Sequence, residues 1–256
     1  VVTIQNDDAP PLPVLNIADA TVTEGDSGTV NAVFTVSLSQ ASTQTVHVDY
    51  ATAPGTATAG ADFTTTSGSL DFAVGETTRT ISVPVVGDTL DEADETFTVT
   101  LSGPSGAALG NAVAAGTIVD DDPMPSLSVD DVTVTEGDAG TTLATITFHL
   151  SAPSGRTVTV PYATTGGTAT SGDDFDPATG TLTFNPGTTT LTATVAVRGD
   201  TRAEPDEVFY VDLGAPTGAT VGDGRAAVTI RNDDAGGGVS VMDATVNEGS
   251  PGAATV

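Results

Sequence analysis

Residues 21–26 read Thr-Val-Thr-Glu-Gly-Asp, and the same six residues return at 133–138. A variant, Thr-Val-Asn-Glu-Gly-Ser, stands at 245–250. Glu24, Glu136 and Glu248 are thus separated by 112 residues at each step. Self-similarity at a fixed offset decides the architecture before any local reading does. The offset holds elsewhere. Gly55-Thr-Ala-Thr-Ala-Gly-Ala-Asp-Phe63 matches Gly167-Thr-Ala-Thr-Ser-Gly-Asp-Asp-Phe175, Val86-Gly87-Asp88-Thr89 matches Arg198-Gly199-Asp200-Thr201, and Thr117-Ile-Val-Asp-Asp-Asp122 matches Thr229-Ile-Arg-Asn-Asp-Asp234. Two complete modules follow, at 14–122 and 126–234. Residues 1–8 read as the tail of a preceding repeat and 239–256 as the head of a following one, so the chain is expected to be a slice of a longer array. The linkers are 9–13, 123–125 and 235–238. The first two are proline-rich and should be extended and stiff; the third, Ala-Gly-Gly-Gly, should be more flexible.

Within a module the apolar period is two. Val30, Ala32, Phe34, Val36 and Leu38 alternate with polar residues, as do Val46, Val48 and Tyr50; Ile81, Val83 and Val85; and Phe97, Val99 and Leu101. The second module gives Val158, Val160 and Tyr162, then Val195 and Val197, then Val208 and Tyr210. This is the pattern of half-buried antiparallel strands. About seven short strands per module predict an all-β chain of tandem seven-stranded immunoglobulin-like β-sandwiches, arranged as beads on a string. No amphipathic helix is expected.

Composition removes whole classes of function. There are 34 Asp and Glu against 6 basic residues, a formal net charge of -28. The basic residues are all Arg, and Lys, Cys and Trp are absent. Such a surface repels phosphate backbones and anionic membranes. The chain has no disulfide, thiolate zinc site, Schiff-base lysine or P-loop lysine. No apolar run approaches the ~18 residues of a membrane helix, and Val1-Val2-Thr3-Ile4 has neither the charged nor the apolar region of a signal peptide.

The acids are not scattered. Label the strands A to G, running alternately up and down. The A–B, C–D and E–F connections and the end of G then share one pole. In the first module these segments hold Glu24 and Asp26; Asp62; Asp88, Asp91, Glu92, Asp94 and Glu95; and Asp120, Asp121 and Asp122. Eleven carboxylates meet there with no basic residue in those segments. Two like charges ~4 Å apart at an effective dielectric of ~20 repel by about 4 kcal/mol. Several such pairs rival a domain's whole stability of roughly 5–15 kcal/mol. Hard oxygen ligands without His or Cys point to Ca²⁺, with Mg²⁺ second because it demands a tighter octahedron.

These motifs resemble the Calx-β family, found in sodium–calcium exchangers, integrin β4 and bacterial surface arrays. The resemblance covers essentially the whole chain and implies a seven-strand sandwich with Ca²⁺ at the distal loops. Carried over residue by residue, it implies metal ligands Glu24, Asp62, Asp88, Glu92, Glu95, Asp120, Asp121 and Asp122 in the first module. In the second it implies Glu136, Asp174, Asp200, Glu204, Glu207, Asn232, Asp233 and Asp234, and a main-chain carbonyl of Leu90 or Arg202 is a further candidate. The chain departs from the tightest-binding relatives at Gly87 and Gly199, which stand where those have an acid. Asn232 replaces an Asp, and Ala203 stands opposite Asp91. Fewer ions than at the richest family sites, and a weaker second site, are expected.

An acidic surface can serve solubility alone, yet 11 of the 15 acids of residues 14–122 fall in four short segments. Asp26, Asp91 and Asp94 read as solvated rather than ligating, and Asp130 and Asp131 as surface charge. Paired-carboxylate glycosidase chemistry lacks its aromatic platforms. His47 and His149 do not correspond across the repeat and read as ordinary strand residues. Arg198-Gly199-Asp200 spells an integrin-recognition tripeptide, but its counterpart is Val86-Gly87-Asp88. The expectation is therefore a non-enzymatic, extracellular, bacterial secreted or surface protein. It would be a monomer as a fragment and act as a calcium-stiffened spacer or adhesive stalk. Its partners would be calcium, neighbouring repeats and a cell-surface or matrix component. A calcium sensor coupled to a membrane or catalytic domain, and an accessory module of a secreted hydrolase, stand as alternatives.

Overall fold

A computed structural model describes residues 11–236. The readings of 1–8 and 239–256, and parts of linkers 9–13 and 235–238, lie outside the described residues. Module 1 contains β1 (Val14–Ile17), β2 (Ala20–Thr23), β3 (Gly28–Leu38), β4 (Val46–Pro54), β5 (Ser67–Phe72), β6 (Thr78–Gly87), β7 (Glu95–Ser105), β8 (Ala108–Leu109) and β9 (Val113–Val119). Module 2 repeats this course as β10 (Ser126–Val129), β11 (Val132–Thr135), β12 (Gly140–Leu150), β13 (Val158–Gly166), β14 (Thr179–Phe184), β15 (Thr190–Gly199), β16 (Glu207–Leu213), β17 (Thr220–Val221) and β18 (Arg225–Arg231).

Each module is a sandwich of a four-stranded and a five-stranded sheet. In module 1 the orders are β6-β3-β1-β8 and β2-β9-β7-β4-β5, and in module 2 β15-β12-β10-β17 and β11-β18-β16-β13-β14. The seven-strand course is kept, but the first and last strands each divide between sheets. β1 pairs antiparallel with β3, and the chain then crosses so that β2 pairs parallel with β9. Asp19 holds this crossing by accepting the Ala115 N–H at 2.8 Å, and Asp131 repeats the contact with Ala227 at 2.7 Å. Asp131, read as surface charge, therefore also braces the fold. No helix among the described residues is long and apolar enough to cross a membrane.

The inward-facing alternation builds two separate cores. Phe34, Phe63, Phe72 and Phe97 fill the first, and Phe148, Phe175, Phe184 and Phe209 the second. One sequence register is corrected. Phe209 and Val211 are buried on β16, while Val208 and Tyr210 are only partly buried. The repeat already pairs Phe209 with Phe97 and Val211 with Val99, and a one-residue slip exchanges the two faces of a strand. Tyr50 and Tyr162 pack against the cores from their margins.

Candidate metal centres

The β2–β3, β4–β5 and β6–β7 connections and the end of β9 come together at one pole of module 1, as the alternating strand directions require. Two carboxylate groups form there: Glu24 with Asp120 and Asp122, and Asp62 with Glu92 and Glu95. Within each group one oxygen per residue lies within 4.8 Å of the others. The corresponding pole of module 2 assembles Asp174, Glu204 and Glu207 in the same way. The structure thus brings nine of the sixteen residues into carboxylate groups.

The other seven lie around them. Asp88 is exposed, and its charge acts on both Glu24 and Glu92. Asp121 and Asp233 are exposed and each spends an oxygen on the turn after the first Glu, accepting the Gly25 N–H at 3.0 Å and the Gly137 N–H at 3.1 Å. Glu136 is buried and faces the charges of Asp200, Asp234 and Glu204. Asn232 takes the place of Asp120 beside it, so the second module's upper group has one charge fewer.

Backbone N–H groups hold several of these side chains in place. Asp62 accepts from Thr58 and Asp174 from Thr170, both at 2.5 Å. Asp88 accepts from Leu90 at 2.7 Å, and Asp120 accepts from Glu92 at 3.0 Å. The first Glu is placed by a close backbone approach. A Cβ on Gly87 would overlap the carbonyl oxygen of Gly25, and one on Gly199 that of Gly137. Glycine at these two positions is therefore what lets the turn bearing Glu24 or Glu136 lie against the end of β6 or β15.

The electrostatic cost is visible in the acids themselves. Burial, then the charges of Asp88, Asp120, Glu92 and Asp122, push the Glu24 carboxyl up to about 7. Glu95 is also pushed to about 7, first by burial and then by its hydrogen bond with Asp62, a contact that two ionised carboxylates cannot make. Glu207 and Asp174 repeat this relation, again with Glu207 at about 7. Burial and like charge also raise Glu92, Asp122, Glu136 and Asp234. One side-chain oxygen on each of Asp122, Asn232 and Asp234 is buried without a hydrogen-bond partner. Orphaned buried acceptors among crowded carboxylates form an all-oxygen donor set that fits a hard divalent cation.

The modules differ in one further respect. Arg202 reaches Glu204 at 3.1 Å, where module 1 has Leu90. A guanidinium already neutralises part of the second cluster. Arg198 of the Arg-Gly-Asp tripeptide pairs with Asp176 at 2.6 Å. His47 and His149 lie on strands and contact carboxylates, His47 with Asp71 and Asp49 and His149 with Asp130.

Asp91 is corrected. It is 2 % exposed, not solvated, and it crosses to module 2, where it meets Ser154 at 2.9 Å and Arg156 at 2.5 Å. Nothing within module 1 signals this, because its partners belong to the next repeat. Asp26 and Asp94 are exposed as expected.

The chain is 31% identical over 194 residues to Sodium/calcium exchanger 1 of Canis lupus familiaris, which covers 68% of this chain and 20% of that protein. It is 30% identical over 192 residues to Sodium/calcium exchanger 2 of Homo sapiens, covering 67% and 20%. The chain thus spans about a fifth of the length of these relatives. Among solved structures it is similar to the calcium binding domain CBD12 of CALX1.1, with 23% identity, 85% of this chain and 99% of that chain covered, and a TM-score of 0.41. The profile of the Calx-beta domain matches residues 7–123 and again 119–234. With that double match over nearly its whole length, the chain belongs to the Calx-beta domain family as two domains in tandem.

Proposed function

We propose that each pole binds Ca²⁺ and that the tandem is a non-enzymatic, calcium-stiffened spacer of a secreted or surface protein. The observation that carries this is the set of buried, unpartnered oxygens on Asp122, Asn232 and Asp234, placed among carboxyls that are pushed toward neutrality. Glu24, Asp120 and Asp122 would hold one ion and Asp62, Glu92 and Glu95 another, with Asp88 shared between them. In module 2 the groups are Asp174, Glu204 and Glu207, and Glu136 with Asn232 and Asp234. When bound, calcium supplies positive charge that converts mutual repulsion into attraction. The first cluster closes at Asp122, directly before Pro123-Met124-Pro125, so binding would order the last residues of one module before the next begins. Extracellular modules of this kind bind calcium at ~10⁻⁴–10⁻³ M, and that range is the one expected for a secreted or surface spacer.

A calcium titration by calorimetry, with a thermal melt at each end, tests the reading. Binding near ~10⁻⁴ M with a raised melting temperature is expected. No heat and no shift at ~10 mM calcium overturns it. The likeness to sodium/calcium exchangers supports a second reading, a calcium sensor coupled to a membrane domain beyond these residues. Binding below ~10⁻⁶ M, in the range of regulatory sites, favours that one.

A further inference from the structure

The junction between the modules is built from parts that the repeat carries in different versions. The β6–β7 connection of module 1 enters the base of module 2 at the β12–β13 connection. Asp91 and Ser154 form a parallel bridge, with the Gly155 N–H donating to the Asp91 carbonyl at 3.0 Å. The Ser154 hydroxyl donates to the Asp91 carboxylate at 2.9 Å, and the Arg156 guanidinium pairs with it at 2.5 Å. Asp91 and Ser154 are 2% and 1% exposed. Gly155 gives room for Glu92, since a Cβ there would lie 2.5 Å from its Oε1 and the side chain would have to move.

The base of module 1 has the same turn, with no connection of the described residues seated in it. Gly75 N–H donates to the Ser42 carbonyl at 3.1 Å, as Gly187 N–H does to Ser154 at 3.0 Å. Gln44 N–H donates to Ser42 Oγ at 3.0 Å, as Arg156 N–H does to Ser154 Oγ at 3.1 Å. A concavity lined by Pro11, Pro13, Gln40, Ser42 and Gln44 occupies this place. The backbone therefore offers a preceding module the same socket. Its side chains do not: Thr43 and Gln44 stand where module 2 has Gly155 and Arg156. The β15–β16 connection of module 2, which would enter a following module, has Ala203 in place of Asp91.

We propose that the acid at 91, with the glycine and arginine at 155 and 156, specifies a locked junction. Modules 1 and 2 then move as one rigid pair. The two outer faces, the base of module 1 and the Ala203 connection, carry the unlocked version and serve as hinges toward neighbouring modules of the same kind. The Asp91–Ser154–Arg156 contacts contain no cation, so substitutions at Asp91 and Arg156 test the lock apart from calcium, whereas Gly155 packs against the metal-cluster residue Glu92.

The chain has no cysteine, so labels can be placed uniquely. Val33 and Leu143 are 51% and 60% exposed, one in each module. V33C/L143C in the full chain, spin-labelled, gives the intermodule distance distribution by pulsed electron paramagnetic resonance, in saturating calcium and in chelator. The outer-face side chains are installed at the central junction as D91A, as R156Q, and as both. A narrow distribution is expected before substitution. Each variant should broaden it at least twofold, and the combination no further than either alone, with the melting temperature of the modules kept. Equal widths for all forms, or a distribution already broad before substitution, overturns the lock. Before substitution the widths should be equal in calcium and in chelator, because the lock holds without the ion. Calcium stiffening of the linker is read instead in D91A, where calcium should narrow the distribution and an unchanged width counts against it.

Discussion

Phe63 is fully buried and stacks on Phe97 at a centroid distance of 4.6 Å, and the residue before it is Asp62. The aromatic plug fixes a connection that would otherwise wander, and so fixes a ligand; Phe175 on Phe209 does the same for Asp174. Phe63→Ala should cost about 3–5 kcal/mol of stability by chemical denaturation and weaken calcium binding, although it touches no ion. Gly87→Ala is a subtler test. The turn carrying Glu24 must retreat from a new methyl group, so calcium affinity should fall at least tenfold in a titration while the core stays intact. Arg202→Leu should act in the opposite direction, raising the affinity of module 2 by freeing Glu204 from its ion pair. An unchanged affinity would mean that Arg202 already turns away when calcium arrives.

At the scale of the elements, the acids matter as a group because four connections meet at one pole. Glu24, Glu95 and Glu207 keep their protons to about pH 7 when folded, but ordinary glutamates lose them near 4.5. Between those values the folded state binds more protons than the unfolded state, so stability falls as pH rises. In chelator the melting temperature should therefore decline from pH 4.5 to 7 and then level off. In saturating calcium the decline should vanish or reverse, because the ion favours the ionised form. Glu95→Gln separates the two effects: it should raise the melting temperature in chelator at pH 7.5 and lower it in calcium.

The whole molecule carries a net charge of -28, and much of it lies at the poles. A ligand at a hundred times its dissociation constant stabilises the folded state by about 2.7 kcal/mol. Calcium should therefore raise the melting temperature by several degrees, with module 1 more affected than module 2. Asp91 adds a connection between modules that is independent of the ion. Removing one partner of a fully buried ion pair costs roughly 3–5 kcal/mol; Arg156 is 35% exposed, so the cost here should be smaller and felt as loss of docking more than of folding.

The sequence by itself determined the repeat, the strand period, the sandwich class and the acids that share a pole. Each of these follows from local alternation and from the parity of strand direction. It also showed two positions that differ between modules: Asn232 and Ala203. It misjudged the inward face of β16, since Val208-Phe-Tyr-Val211 is apolar throughout and only the packing against the core chooses between faces. Asp91 was beyond its reach. A carboxylate in a loop looks the same whether water or a neighbouring module surrounds it, and its partners Ser154 and Arg156 lie more than sixty residues away. The division of the first and last strands between two sheets was likewise decided only in three dimensions. Sheet membership depends on which backbone hydrogen-bonding edge is free, and no side-chain pattern records that.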